Sequence, residues 1–207
     1  VDQGSSTDAT VASGRALGVV LAGGRGSRLG GTKPGVELGG RSLISYPLAA
    51  LATAGLDAIV VAKPATELPA SVAAAWRAEI ITEPPEPIHP LAGIVAALRH
   101  ADRSLVVLGC DFPFVPPALL GALADAQDEL VVPAPGGKRQ PLVARWSPSL
   151  LSQLEAALVR EEPLRRTVAV LEPRLLGDAE LAEYGDPARV FFNVNTEADL
   201  RAAAALL

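Results

Sequence analysis

The chain has 207 residues, of which 49% are hydrophobic, 20% charged and 4% aromatic, with a net charge of −5 and a pI near 5.1. This length suits one large unit with a sizeable core, and the alanine-rich, aromatic-poor composition excludes an aromatic platform for single-stranded nucleic acid. The acidic balance excludes a general polyanion-binding surface, so no nucleic-acid partner is expected; one cysteine and two histidines exclude an internal disulfide and a structural zinc, and imply a reducing cytoplasm with oxygen ligands for any metal.

Residues 1–14 are polar, lack the basic start and apolar centre of a signal peptide, and read as a disordered leader or cloning remnant ahead of a single domain over 15–207. Buried strands are predicted at Leu17 to Leu21, Ala58 to Ala62, Glu79 to Thr82, Leu105 to Leu108 and Leu130 to Pro133. Between them fall helices at Ser42 to Ala54, Leu68 to Ala78, Leu91 to His100 and Pro116 to Gln127. Beyond the Gly136–Gly137 turn the pattern predicts a strand to Trp146, helices over 148–160 and 163–171, a short strand ending at Asn195, and a last helix over 197–206. Alternating strand and helix implies an α/β three-layer sandwich around a mostly parallel, twisted sheet. The longest uncharged apolar stretch, Leu43 to Leu56, contains Pro47 and falls short of the roughly 18 residues of a membrane span, so no membrane partner is expected.

The strongest local signal is the strand Leu17–Leu21 running into a loop with glycines at 23, 24, 26, 30, 31 and 35. Glycines let successive N–H groups converge on an anion, and ligands of open α/β sheets sit outside the carboxyl ends of the strands. The same stretch, Ala9 to Val36, carries Arg15, Arg25, Arg28 and Lys33 and no acidic residue, which suits a polyphosphate. It is neither of two familiar glycine loops: Thr32 stands where a P-loop has lysine, and Leu29 where a dinucleotide fingerprint has its third glycine. Farther on, Asp111 lies just beyond a buried strand, on the same sheet edge, as a hard oxygen ligand suited to a phosphate-bridging Mg²⁺. Cys110 has no basic neighbour in its segment and reads as packing.

LAGGRGSRLGGTK, Leu21 to Lys33, resembles the signature loop of nucleotidyltransferases with a nucleotide-diphospho-sugar-transferase-like Rossmann fold, most closely the molybdenum cofactor guanylyltransferases. Three more segments are similar to that family in the same order: HPLAG at 89–93, CDFP at 110–113 and FFNVNTEADL at 191–200. The resemblance implies a nucleotide site of Leu21, Ala22, Gly23, Gly24, Gly31, Lys33, Glu83, Gly93 and Asp111, with Lys33, Asp111 and Arg28 catalytic and Asp111 holding Mg²⁺. It implies molybdopterin contacts from Asn193, Asn195, Arg165 and Arg166; if 191–195 is a strand, the two asparagine amides share one face.

His89 stands where the family pattern has Gly, so either the backbone there needs no positive φ or the approach to ligand is altered. Thr32 replaces an Asp common before the lysine. The activity implied is transfer of GMP from GTP to molybdopterin (or the molybdenum cofactor) with release of pyrophosphate, together with possible protein partners that deliver molybdopterin or accept the product. Two alternatives stay open: a transferase using CTP or another phosphorylated acceptor, and a nucleotide-binding accessory protein without turnover.

Overall fold

Alternation along the first strand, β1 (Leu17–Leu21), sets the architecture: Leu17 and Val19 point into one apolar layer and Val20 into another. A strand buried on both faces needs helices on both sides. The computed structural model describes residues 15–24, 33–76 and 78–207; the leader expected at 1–14 and the glycine-loop residues 25–32, Arg28 and Gly31 among them, lie outside the described residues.

Seven strands form the main sheet, in the order β5 (Glu79–Thr82), β4 (Ala58–Ala62), β1, β6 (Leu105–Gly109), β8 (Val143–Trp146), β7 (Leu130–Pro133) and β9 (Arg174–Leu176). Every neighbouring pair is parallel except the two that β8 makes, with β6 and with β7. On one face pack α1 (Ser45–Thr53), α2 (Ser71–Trp76) and α4 (Pro117–Asp125), through Leu48, Leu51, Val72, Leu119 and Leu123. On the other pack α3 (Pro90–Ala101), α5 (Leu151–Val159) and α6 (Leu164–Val170), through Leu91, Ile94, Leu98, Leu154 and Val168. The expected three-layer sandwich is therefore what the chain forms.

A third, small core ties the last helix to the segment that follows Lys33. The hairpin β2 (Glu37–Leu38) and β3 (Arg41–Ser42) buries Leu38, and Leu43 follows it inward. They meet Val194 and Ala203, the latter on the last helix, α9 (Glu197–Ala204), with Tyr46, Phe114, Phe192 and Leu200 around them. At about 1.5–3 kcal/mol for each large aliphatic side chain buried, this patch is strong enough to fix the chain around 193–195.

Four features depart from the sequence pattern. The helix expected from Leu68 begins only at Ser71, because Pro69 occupies the approach and its carbonyl accepts the Val72 amide at 2.9 Å. The hairpin and β9 were not anticipated, being two or three residues long and without an alternating run. Two one-turn helices, α7 (Asp178–Leu181) and α8 (Pro187–Val190), occupy a stretch with no clear period. No strand ends at Asn195: residues 192–195 are irregular, because the Val194 amide is spent on the Asp111 carbonyl at 2.9 Å and Thr196 already caps α9.

Candidate active site

Strand order reverses at β1, which has β4 on one side and β6 on the other, and a cleft opens at the carboxyl ends there. Its walls are Leu21, Gly23 and Gly24 after β1, Lys63 after β4, Glu83 after β5, Gly109 to Asp111 at the end of β6, the segment 88–90 with Gly93 at the start of α3, and Lys33 and Leu142. Two lysine–carboxylate pairs lie in it.

The first pair joins residues far apart in sequence. The Cys110 amide donates to the Leu21 carbonyl at 3.1 Å, fastening the turn after β6 to the end of β1. Gly109 leaves room for the Asp111 carboxylate to fold back, since a Cβ there would stand 2.5 Å from Oδ1. Lys33 opens a 3₁₀ turn, and its Nζ donates to Asp111 Oδ2 at 2.8 Å and to Asn195 Oδ1 at 2.7 Å. Both charged side chains are nearly covered, 11% and 13% exposed, so the pair is held in one geometry.

Asn195 is positioned by the start of α9. Asp199 Oδ2 accepts the amides of Asn195 at 3.0 Å and Thr196 at 2.9 Å, while Thr196 Oγ1 accepts the Asp199 amide at 3.2 Å. The Asn195 amide, with the Thr196 side chain, holds the Asp199 carboxyl below its ordinary value.

The second pair is Lys63 and Glu83, with Nζ 3.6 Å from Oε1. Glu83 is buried, and loss of water pushes its carboxyl up while the Lys63 charge opposes that. Lys63 Nζ also donates to the Pro84 carbonyl at 2.8 Å. The carboxylate lies between two glycines: a Cβ on Gly23 would overlap Oε1, and one on Gly93 would stand 3.2 Å from Oε2.

The question left open at His89 closes here, and Cys110 is buried as expected. His89 has φ −141° and ψ 136°, an extended backbone that any residue adopts, so glycine is not required. Its Nδ1 accepts the Leu91 amide at 3.2 Å and caps α3. Cys110 is buried, its thiol pushed up to about 12 by desolvation and then by Asp111, which fits packing rather than chemistry.

Of the residues singled out from the sequence, Leu21, Gly23, Gly24, Lys33, Glu83, Gly93 and Asp111 line the cleft, and Asn195 reaches Lys33. Ala22 is buried in the core beneath it, its amide donating to Val61 at 2.8 Å. The expected common face for the two asparagines is not formed, because the chain there is no strand: Asn193 is exposed while Asn195 is half-buried on Lys33. Arg165 and Arg166 are exposed on α6 and are not among the residues of the cleft wall; Arg166 pairs with Glu162 at 2.9 Å, a surface contact of little energy. Sequence reasoning missed Lys63. Its signal was a lone lysine directly after an uncharged buried strand, on the edge that carries Asp111.

Among the described residues no group of three His, Cys, Asp or Glu is placed to hold a metal ion. The single Asp111 carboxylate offers an oxygen ligand to a divalent ion that takes its other ligands from phosphates and water, and not an all-protein cage.

A switch-point cleft with a glycine-bearing strand end, a lysine and a carboxylate beyond the next strand suits a phosphorylated ligand, and the family match makes the chain a nucleotidyltransferase. Residues 18–175 match the profile described as the MobA-like NTP transferase domain, and the chain belongs to that family. It is 32% identical over 203 residues to a molybdenum cofactor guanylyltransferase of Rhizobium meliloti (strain 1021), covering 91% of this chain and 90% of the relative. Among solved structures it is similar to molybdopterin-guanine dinucleotide biosynthesis protein A from Archaeoglobus fulgidus, with TM-score 0.78, 28% identity, and 92% and 97% of the two chains covered. It shares its fold with Rv0371C from Mycobacterium tuberculosis, solved in complex with manganese, at TM-score 0.65 and 20% identity over 93% and 100% of the two chains.

Proposed function

We propose that this nucleotidyltransferase moves GMP from GTP to the terminal phosphate of molybdopterin and releases pyrophosphate. The observation that carries the reading is the Lys33–Asp111–Asn195 cluster at the mouth of the glycine-bearing strand. The full-length similarity to molybdenum cofactor guanylyltransferases supports the choice of nucleotide and acceptor. Residues 15–207 act as one catalytic unit in this reading, which one seven-stranded main sheet with α9 packed back on the hairpin supports. The reading includes a cytoplasmic site of action; among the described residues no helix is long and apolar enough to cross a membrane.

The chemistry follows from charge. The amides at Leu21 to Gly24 and, in the loop beyond, Gly31 and Arg28 hold the triphosphate. Lys33 draws electron density from the α-phosphate and stabilises the added charge of in-line displacement. Asp111 would hold Mg²⁺, which would supply Lewis-acid neutralisation of phosphate charge. The attacking group is itself a phosphate anion, so no general base is needed, and the acceleration comes from positioning and electrostatics. Asn195 keeps the lysine aimed when its carboxylate partner turns to other ligands. Asn193, Arg165 and Arg166 remain candidates for the acceptor's side of the site.

Pyrophosphate release by purified protein with Mg²⁺, each of the four NTPs, and with or without molybdopterin tests the reading. Release requiring GTP and molybdopterin together supports it. Release with CTP makes the protein a cytidylyltransferase, and nucleotide binding without release makes it an accessory protein.

A further inference from the structure

The mechanism leaves one of the two lysine–carboxylate pairs of the cleft, Lys63 and Glu83, without a task. Lys63 stands at the end of β4, 14% exposed, and its ammonium faces the Glu83 carboxylate at 3.6 Å while bonding the Pro84 carbonyl at 2.8 Å. Both ends of this arrangement belong to rigid structure: the Glu83 amide donates to the Ala62 carbonyl at 3.0 Å, continuing the pairing of β4 with β5. Gly23 and Gly93 flank the carboxylate so tightly that a methyl group on Gly23 would overlap it. Among the described residues Lys63 is its one ion-pair partner, and no hydrogen bond of 3.5 Å or less is made to either oxygen, so lone pairs remain for a ligand in the cleft.

We propose that Lys63 is a positioning residue for base selection: it holds Glu83 as a fixed, charged acceptor, so that the cleft prefers a base whose pairing edge carries N–H donors. Guanine presents two such donors, at N1 and the 2-amino group. Adenine and cytosine present a ring-nitrogen acceptor at the corresponding place, whose lone pair meets the carboxylate's own. An ionised carboxylate only accepts, whereas a protonated one also donates and loses the distinction. A buried carboxylate without a neighbouring cation takes up a proton more readily, which is why the lysine matters. The inference rests on the guanylyl reading above and deepens it.

The test is calorimetric titration of the full chain with Mg²⁺ and GTP, ITP, ATP or CTP, for wild type and for Lys63→Met, Lys63→Arg and Glu83→Gln, with thermal melting of each. Lys63→Met should weaken GTP about tenfold or more, the scale of a hydrogen bond to a charged group, with ATP unchanged. Lys63→Arg should restore the preference, and ITP, lacking the 2-amino group, should fall between GTP and ATP in wild type. Adding Glu83→Gln to Lys63→Met should cost little more than either alone. An equal loss for all four nucleotides, or an unchanged GTP preference in Lys63→Met, overturns the role of Lys63. Should Lys63→Met not fold, Glu83→Gln decides, because retention of the GTP preference there overturns the inference equally. A wild-type preference for CTP, seen before any variant is made, would instead overturn the guanylyl reading.

Discussion

The cleft holds two lysine–carboxylate pairs that differ in build. Lys33 and Asp111 are in direct contact at 2.8 Å, come from loop and turn, and are tied to the C-terminal helix through Asn195. Lys63 and Glu83 stand farther apart at 3.6 Å, come from the ends of adjacent strands, and are enclosed by two glycines. In the proposed mechanism the first pair exchanges partners when phosphate arrives and sits on a loop and a turn, whereas the second presents a fixed acceptor to the base and sits at the ends of paired strands. The contrast places the proposed chemistry on a loop and a turn and the proposed selectivity at the sheet edge.

Substitutions in the first pair should break the largest effect. Lys33→Ala and Asp111→Ala should lower turnover about 10²-fold or more, roughly 3 kcal/mol for one transition-state contact, while remaining folded at the assay temperature with a lowered Tm, since each leaves a nearly covered charge unpaired. Steady-state pyrophosphate release with a melting curve checks both, and wild-type turnover in either removes that residue from the mechanism.

The second pair should show itself in binding instead. Gly23→Ala places a methyl group on Glu83 Oε1, and overpacking of about 1–3 kcal/mol should raise KM for GTP about tenfold with a smaller change in kcat. A fall in kcat alone would mean that the two pairs do not divide the work as described.

Smaller effects come from the support behind Asn195. Asp199→Ala removes the capping box, about 0.5–2 kcal/mol, and should lower Tm by a few degrees and kcat several-fold. Because the folded Asp199 carboxyl lies below its ordinary value, its stabilisation is present above about pH 3.9 and is lost as pH falls through the lowered value. Wild type and Asp199→Ala should therefore converge in stability on acidification, which parallel melts at pH 7 and below pH 3 would show. The smallest effect concerns Cys110: with its thiol pushed up to about 12 inside the core, it should resist iodoacetamide at pH 8 in the native protein and react only on unfolding, as mass spectrometry would record.

Much of this was legible in the sequence. Buried parallel strands advertise themselves as runs such as Leu105–Gly109, and Gly24, Lys33 and Asp111 carry patterns tied to phosphate and metal chemistry. What was hidden depends on tertiary contact. Asn195, expected at the end of a strand, is instead fixed by Val194 bonding to Asp111 and by its own bond to Lys33, and Lys63 acquires a partner only when Glu83 comes up on the neighbouring strand. His89 looks like a defect in a glycine pattern, yet its extended backbone makes it an ordinary helix cap. The strand β9 was missed because three residues carry no period, and its pairing with β7 comes from the sheet edge it meets.

The most direct test of the account is the identity of the product formed from GTP, Mg²⁺ and molybdopterin by wild type and by Lys33→Ala, followed by mass spectrometry alongside pyrophosphate release. Wild type should give a guanine dinucleotide of molybdopterin and pyrophosphate in equal amounts, and a folded Lys33→Ala should give them at a rate lower by about 10²-fold or more. Pyrophosphate released from GTP without such a product, or product formed at the same rate by Lys33→Ala, would contradict it.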